Sequence, residues 1–483
     1  MHPALIAAAA AAAFAIILVA RALSAPRAAP PASLGAEALG AVAGVEERLA
    51  SIIRVATVSS FAEEEEDGQA FDRLKAVLRE LYPLCFERML VSEPSERSLL
   101  LEWPGRSGAL KPIILCAHFD VVPPGPPESW ERDPFSGAVD GGFVHGRGAQ
   151  DIKVTLASAL FAAEALLARG FIPERTVFFA FGGDEEVGGM RGAAVIAGAL
   201  AERGVRASFL LDEGGIVADG LLSFVDRPLA LIGISEKGYV DVAIEAEGTG
   251  GHASMPPRHT AAGVVAKAVS AAEARPFPAT ITYTTRGFLR ALCAYAPFAY
   301  RLLFANLFVT APLVKAAFSA TPSTNALLRT TAAATMLSGS DKENVLPRKA
   351  RAVLNVRILP GQSVAGTLSR LDAMAAKAGA RAVVAHKGHV NDPLPESPTE
   401  HEGYEAVLAA LSASFPEAGA VPFMFTAGTD TKHYRGVCDA IYRFAPILQN
   451  QDDLNRVHAA NERVSVENVR RCALFYNALL SSC

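Results

Sequence analysis

Three uninterrupted apolar runs in the first half of the chain predict buried strands. They cover residues 112–117, 176–181 and 208–211, and runs of this length without alternation are typical of strands that are covered on both faces of a sheet. Between the first two runs, residues 154–169 carry apolar side chains at helical spacing and end at Gly170, a residue that often follows a helix. The alternation of strands and helices therefore predicts a doubly wound α/β domain.

A different pattern begins near Lys237 and predicts a second, smaller domain. Residues 239–247 alternate apolar and polar side chains, as a half-buried antiparallel strand does. The further elements expected here are a helix at 261–274, a strand at 350–359, a helix at 363–378 and a strand at 380–385. This order resembles a small α+β, ferredoxin-like domain that is inserted into the larger one.

These patterns divide the chain into expected segments. The first part of the larger domain covers residues 38–236, the inserted domain covers 237–392, and residues 393–483 complete the larger domain. Inside the insertion, residues 287–318 hold many large apolar side chains with charges between them. This apolar insertion is expected either to add core or dimer packing, or to form a helical hairpin that contacts a bilayer or an acyl chain.

The N-terminus predicts export or membrane attachment. Residues 4–20 are uniformly apolar, Arg21 follows, and residues 25–37 form a linker rich in Pro and Ala. Residues 1–24 therefore read either as a membrane anchor or as the core of a signal peptide. The basic region that usually precedes a signal core is absent, so the orientation stays open, and the protein is expected to be membrane-anchored or secreted.

Composition limits the range of possible functions further. The chain has 483 residues, a formal charge of −5 and 51% hydrophobic residues, which is a globular composition long enough for two domains. No basic tract interleaved with aromatic residues occurs, so no nucleic-acid partner is expected. The six cysteines show no CxxC spacing, and Cys116, inside an apolar run, is expected to be buried.

The polar residues that follow the predicted strands are the candidates for chemistry. Ligands bind beyond the carboxyl ends of the strands in open α/β sheets, and acids gathered there repel one another unless a cation compensates them. Imidazole with carboxylate and without thiolate suits zinc, with cobalt or manganese as substitutes. The residues expected at this edge are His118, Asp120, Asp151, Glu185, Glu186 and Asp212.

Each of these residues also has a purely structural interpretation. Asp151 can be an acid favoured at a helix start, and the two glutamates can form a solvated turn. Asp120 lies two residues from His118, on the same face of an extended segment, so it can orient the imidazole. It is their expected convergence at one sheet edge that favours a metal site.

Seven ordered motifs resemble the zinc metallopeptidase family of aminoacylases, carboxypeptidase S, glutamate carboxypeptidase and succinyl-diaminopimelate desuccinylase. The nearest branch is that of carboxypeptidase S and N-fatty-acyl-amino acid synthase/hydrolase, which the segment DEGG at 212–215 also fits. The motifs are AHFDVVP at 117–123, GRGAQDIK at 146–153, GDEEVGG at 183–189, GGHAS at 250–254, ENVLP at 343–347, NVR at 355–357 and GTDTKH at 428–433.

The resemblance implies roles for the candidate residues. Asp151 would bridge two Zn²⁺ ions, with His118 and Asp212 completing one site and Glu186 and His433 the other. Glu185 would be the general base, and Asp120, which can orient the His118 imidazole, is counted with it as catalytic. The smaller domain would be a lid that also mediates a homodimer. It would supply the substrate-binding residues His252, Asn344 and Arg357.

The expected function is therefore hydrolysis, by a dinuclear zinc amidohydrolase, of an amide bond next to a free carboxylate. The substrate would be a small peptide, as for a carboxypeptidase, or an N-acyl amino acid, including N-fatty-acyl ones. Synthesis by reversal stays open. The alternative is a non-catalytic member of the fold that only binds metal or ligand, and its mark would be a missing ligand or base.

Overall fold

The computed structural model describes residues 2–220, 222–386 and 390–483 and contains one large sheet of ten strands. Its central strands pair in parallel, and every residue of Ile113–His118, Val177–Gly182 and Ala207–Asp212 is buried, as the apolar runs predicted. In spatial order the strands are Leu90–Ser92, Ser98–Trp103, Val177–Gly182, Ile113–His118, Ala207–Asp212, Cys438–Arg443, Leu229–Glu236, Val217–Ala218 and Leu448–Gln449, with Gly419–Phe425 paired to Leu229–Glu236.

Helices cover both faces of the large sheet. Lys153–Ala168, apolar on almost every side, is buried against the sheet, and Val466–Ser481 packs on it. Gly170 follows this helix with a φ of 72°, the conformation that favours glycine after a helix. Ala193–Glu202 packs on the opposite face. The other helices of this domain are Ala36–Gly40, Val45–Ile53, Gly68–Leu81, Pro83–Arg88, Glu402–Ser414 and Gln451–Leu454.

A separate four-stranded antiparallel sheet forms the smaller domain. Its strands lie in the order Thr331–Ser338, Lys349–Ile358, Gly238–Glu247 and Arg381–Val384, and helices Ala261–Ala274 and Val364–Ala376 pack on it. This is the strand–helix–strand–strand–helix–strand order of a ferredoxin-like domain. The strand Thr331–Ser338 was not predicted, because it is rich in alanine and largely exposed at the sheet edge, so it carries little apolar alternation. The two-domain α/β prediction is confirmed.

The remaining described strands form two small sheets. Arg463–Ser465 pairs with Phe143–His145, which also pairs with Ala138–Asp140. In the smaller domain, Gly251–His252 pairs with Val345–Leu346. The six cysteines are all buried and unpaired, including Cys116.

The apolar insertion packs on the large sheet, although the chain enters it from the smaller domain. Helix Tyr283–Leu292 contacts the edge strand Gly419–Phe425 and contributes Phe288 and Leu289 to a cluster with Leu231. Helices Phe298–Phe304, Leu307–Phe318 and Pro322–Ala326 follow. The first two of these meet at a bend of 111°.

The N-terminal helix, Pro3–Ser24, is long and apolar enough to cross a membrane, and the same features are those of a signal sequence. None of its most apolar stretch is buried within the protein. Its last turns reach the helices of the apolar insertion.

Candidate metal centre

Parallel pairing brings the predicted site residues to one edge of the large sheet. Ile113–His118 lies between Val177–Gly182 and Ala207–Asp212, so the carboxyl ends of all three strands are neighbours. His118 is the last residue of its strand and is 2% exposed. The sheet therefore places an imidazole beside the acids that follow the two flanking strands.

Two groups of potential ligands share Asp151. In the first, the His118 Nε2 atom lies 3.1 Å from Asp151 Oδ1 and 3.4 Å from Glu213 Oε1. In the second, the His458 Nε2 atom lies 2.9 Å from Asp151 Oδ2 and 3.3 Å from Glu186 Oε1. Within each group the ligand atoms all lie within 4.8 Å of one another. The two carboxylate oxygens of Asp151 thus face different groups, which is the arrangement of a bridging ligand.

Asp120 is fully buried and holds neighbouring residues of the centre in position. Its carboxylate accepts hydrogen bonds from the backbone N–H groups of Glu185 at 3.1 Å and Glu186 at 3.2 Å, and from the Ser59 hydroxyl at 2.7 Å. Its Oδ1 atom also lies 3.3 Å from His118 Nδ1. One carboxylate therefore fixes the His118 ring and both glutamates, as an orienting residue does.

A tight turn after Val177–Gly182 presents the two glutamates. The Asp184 carboxylate accepts hydrogen bonds from Arg191 N at 2.6 Å and Gly192 N at 2.8 Å, which closes the turn. Gly189 has a φ of 72°, and a Cβ atom there would lie 2.0 Å from Asp430 Oδ1. The turn can pack this closely only because position 189 is glycine.

The loop that carries Asp151 is held by a buried ion pair. Glu462, fully buried, accepts hydrogen bonds from Arg147 Nη1 at 2.6 Å and from the backbone N–H groups of Gly148, Gln150 and Asp151 at 3.2, 2.7 and 3.3 Å. Glu462 lies four positions after His458, so one short segment supplies a potential ligand and also fixes the shared aspartate.

Two expected ligands lie outside these groups. Among the described residues, neither Asp212 nor His433 belongs to either group. Burial raises the pKa of Asp212 to about 6, and no described group is a hydrogen-bond partner of its Oδ2 atom. His433 Nε2 instead donates to the Gly188 carbonyl at 3.0 Å, and burial lowers the pKa of His433 to about 4.

The two groups contain Glu213 and His458, whereas the prediction from the sequence named Asp212 and His433. The sequence carried a clear signal for Glu213, because it is adjacent to Asp212 at the same strand end. For His458 the signal was weaker, since it is one of ten histidines and lies in a polar loop without a preceding apolar run.

The protonation of the two histidines at the centre depends on the carboxylates around them. Burial disfavours the charged form of His118, but the carboxylates of Glu213, Asp120 and Asp151 outweigh it and raise the His118 pKa well above its usual value. The Asp151 carboxylate, which accepts a hydrogen bond from His458 Nε2, and the adjacent Glu186 carboxylate raise the pKa of His458 to about 10. The carboxylates thus favour positive charge at both groups.

The donor set fits divalent cations. Each group offers imidazole nitrogen and carboxylate oxygen, the ligands that zinc takes in hydrolytic sites. Glu186 Oε1 is buried and has no hydrogen-bond partner within the described ranges. A buried carboxylate oxygen without a donor is unfavourable unless a cation approaches it.

A cavity of about 690 Å³ opens beside the centre, and Glu185, Glu186, Lys237 and Arg357 are among its lining residues. The Arg357 guanidinium lies over the Tyr239 ring at 4.7 Å and donates from Nε to Asn355 Oδ1 at 3.2 Å. No carboxylate in the described ranges lies within ion-pair distance of Arg357. Of the three predicted substrate-binding residues, the structure brings Arg357 to this cavity.

His252 and Asn344 lie together elsewhere, on an exposed edge of the smaller domain. The Ala253 N–H donates to the Asn344 carbonyl at 3.0 Å, next to the paired strands Gly251–His252 and Val345–Leu346. Among the residues that the structure describes, neither lines the cavity beside Glu185.

Comparisons with known proteins agree with this architecture. The profile of Peptidase family M20/M25/M40 matches residues 114–482. The chain is 36% identical over 437 residues to the N-fatty-acyl-amino acid synthase/hydrolase PM20D1 of Mus musculus, covering 89% of this chain and 86% of that protein. It is 33% identical over 441 residues to the probable carboxypeptidase S-like 2 of Dictyostelium discoideum, covering 90% and 84%.

Among solved structures, the fold is similar to that of the M20 family metallo-carboxypeptidase Sso-CP2 from Sulfolobus solfataricus. The TM-score is 0.66 at 18% identity, over 90% of this chain and 98% of that one. Human carnosine dipeptidase 1 gives a TM-score of 0.61 at 14% identity, over 94% of this chain and 100% of that one.

Proposed function

This chain belongs to peptidase family M20/M25/M40, and on that premise we propose that it binds two Zn²⁺ ions and hydrolyses N-acyl amino acids. It is a metal-dependent amide-bond hydrolase, as the family and its relatives named for N-fatty-acyl-amino acids and for carboxypeptidase S indicate. The observation that carries the proposal is the pair of ligand groups joined by Asp151, beside the half-buried Glu185 and beside Arg357, which has no carboxylate partner among the described residues.

The ligand set that the geometry supports differs at two positions from the one expected from resemblance. In this proposal, His118 and Glu213 hold one ion, Glu186 and His458 hold the other, and Asp151 touches both. Asp212 and His433 then stand outside the ligand set. When bound, the ions would act as Lewis acids that polarise the scissile carbonyl and acidify water.

Glu185 is the proposed proton carrier of the reaction. Its backbone is fixed by Asp120, and its side chain reaches the cavity beside the ligand groups. Burial, reinforced by the nearby Glu213 and Asp430 carboxylates, raises the pKa of Glu185 well above its usual value. A glutamate with a raised pKa can take a proton from the attacking water and return it to the leaving amine.

Arg357 is the proposed partner of the substrate carboxylate. An arginine presents a planar fork of donors that matches a carboxylate in two parallel hydrogen bonds. Lys237 Nζ, which donates to the Arg329 carbonyl at 2.8 Å, adds a second cation to the same cavity. A free carboxylate next to the scissile amide is therefore the expected substrate feature.

Exposed apolar side chains on the cavity favour an acyl group on the other side of the amide. Phe61 is 76% exposed and Met190 is 61% exposed, and both line the cavity together with Val187 and Val390. Apolar side chains at a cavity mouth gain from covering an acyl chain. This supports N-acyl amino acids over peptides of polar residues.

We also propose a homodimer through the smaller domain. His252 and Asn344 are exposed and remote from the cavity of their own chain. A histidine that stabilises the oxyanion must lie within hydrogen-bond reach of it. A second copy that brings its own His252 and Asn344 to the cavity would satisfy this requirement.

The test is hydrolysis of an N-oleoyl amino acid, an N-acetyl amino acid and a dipeptide by purified protein whose metal content is measured. We expect turnover of the oleoyl substrate to be fastest, and loss of activity when its carboxylate is capped as an amide. Glu185→Gln should retain metal but lose activity, with the exposed Glu80→Gln as the matched control. A well-folded, metal-loaded protein that hydrolyses none of the three substrates would refute the proposal.

A further inference from the structure

The N-terminal helix has the composition of a core helix and the exposure of a surface helix. Its apolar residues face outwards on every side, with Leu5 63% exposed, Phe14 43% and Ile16 68%. A helix that is apolar all round is buried in a protein core or in a membrane. Its 22 residues correspond to about 33 Å, close to the thickness of a bilayer core.

Two arginines form hydrogen bonds between the end of this helix and the apolar insertion. Arg301, which is 4% exposed, donates from Nη2 to the carbonyls of Ala25 at 2.9 Å and Leu23 at 3.5 Å. Arg21 donates in the opposite direction, from Nη2 to the Ala305 carbonyl at 3.2 Å. Each arginine thus places its charge at the carboxyl end of the other chain segment's helix, where a cation is favourable.

Further contacts extend along the last turns of the N-terminal helix. Asn306 Nδ2 donates to the Leu18 carbonyl at 3.0 Å, and the Phe14 and Phe308 rings meet edge to face at 6.4 Å. Arg21 also lies over the Phe308 ring at 5.2 Å. Phe308, the second residue of helix Leu307–Phe318, is therefore level with the end of the apolar stretch.

The outward face of helix Leu307–Phe318 is apolar, and its buried residues are Leu307, Thr310 and Val314. A helix that faces water carries polar side chains on its outer face instead. Phe308 is 61% exposed and Leu313 is 64% exposed. We call this surface the hairpin face; its exposed residues are Phe308, Val309, Pro312, Leu313, Ala316 and Ala317.

We infer that residues 3–24 are retained as a membrane span and that the hairpin face lies in the interfacial layer of the same bilayer. The occupant of the face is lipid, because the face is continuous through Phe308 with a helix of membrane-spanning length. A helix that lies in the interface buries its apolar side about 5–10 Å deep. Arg21 and Lys315 then lie at the level of the lipid headgroups, where their stems are apolar and their charges hydrated.

Tryptophan substitution in the full-length protein tests the position of the face. Leu313→Trp and Val309→Trp are each reconstituted into phosphatidylcholine vesicles whose acyl chains are brominated near the headgroup. The matched control is Leu337→Trp on the smaller domain, since Leu337 is 69% exposed. We expect the added tryptophan to lose roughly half of its fluorescence or more at 313 and 309, a depth expected of an interfacial helix, and none at 337.

The arginine contacts are tested in the same vesicles. Arg301→Met and, separately, Arg21→Met are combined with Leu313→Trp, and retained hydrolysis confirms folding. We expect both proteins to float with the vesicles, because the span is intact, while quenching at 313 falls towards that at 337.

Three results would overturn the inference. The first is quenching at 313 no greater than at 337 in the otherwise unsubstituted protein, as would follow if a second copy or another protein covered the hairpin face. The second is full quenching at 313 despite Arg301→Met and Arg21→Met. The third is a mass, for membrane-extracted protein, that lacks residues 3–24.

Discussion

Replacement of Glu462 by glutamine tests whether one buried carboxylate fixes the shared ligand Asp151. Glu462 is the acceptor for Arg147 Nη1 and for three backbone N–H groups of the loop from 148 to 151. Glutamine keeps the shape but replaces one acceptor oxygen by an NH₂ group, which is a donor. Whichever way the amide turns, it faces donors, so part of the loop loses its partner.

The expected magnitude follows from burial. The side chains of Arg147 and Glu462 are 2% and 0% exposed, and loss of one partner of a buried ion pair costs about 3–5 kcal/mol. Because glutamine retains one acceptor, we expect a loss near the lower end, about 3 kcal/mol in the free energy of unfolding. Residues that orient metal ligands typically alter metal affinity by about 10–100-fold, so the Glu462→Gln variant should also bind metal more weakly.

The assay pairs urea unfolding of the metal-free protein with chelator competition for the bound metal. Trp130, whose indole ring lies 5.3 Å from the Arg147 guanidinium, reports on the loop by fluorescence. The matched control is Glu174→Gln in the exposed pair with Arg106, where both side chains are 58% exposed and the expected loss is about 0–1 kcal/mol. If Glu462→Gln matched this control in both unfolding and metal affinity, the positioning role would be refuted.

Three other predictions concern the ligands and the cavity. Glu213→Gln should lose bound metal by elemental analysis whereas Asp212→Asn keeps it, because only the former residue touches a ligand group; equal loss would contradict this. His458→Ala should lose one of two ions while His433→Ala keeps both, and the opposite outcome would restore the set expected from resemblance. Burial, with Arg357 nearby, lowers the pKa of Lys237 to about 7, so the KM for an N-acyl amino acid should rise as pH increases through that value and Lys237 loses its charge. Lys237→Met should flatten this dependence, and an unchanged pH profile of KM would contradict it.

The large-scale fold was predictable because it depends on burial patterns that are local in the sequence. The apolar runs that end at His118 and before Glu185 became adjacent parallel strands, and the alternating pattern after Lys237 became the first strand of the smaller sheet. Thr331–Ser338 was not predictable in this way. An exposed edge strand buries few side chains, so selection for apolar alternation is weak there.

The membership of the two ligand groups was less predictable than the fold, for two different reasons. Asp212 and Glu213 are consecutive, and the side chain that reaches the centre is decided by the backbone rotation where the strand ends. His433 and His458 lie in separate loops, and the sequence does not show how far each loop extends. The structure brings the His458 ring to Asp151 and leaves the His433 ring at the Gly188 carbonyl.

Burial alone does not distinguish the acids that orient this centre from those proposed to hold a cation. The number of hydrogen bonds that each carboxylate accepts from the protein distinguishes them better. Asp120 and Glu462 accept several backbone N–H groups each, so the protein itself compensates their charge. Asp151 and Glu186 face imidazoles, and an oxygen of Glu186 has no donor among the described residues. A carboxylate whose oxygens already accept several hydrogen bonds gains little from a cation. A buried carboxylate oxygen that accepts none is unfavourable unless a cation compensates it. This criterion alone does not separate Asp212 from Glu213, because Asp212 Oδ2 is also buried without a donor among the described residues; Glu213 is favoured by its Oε1, which lies 3.4 Å from His118 Nε2.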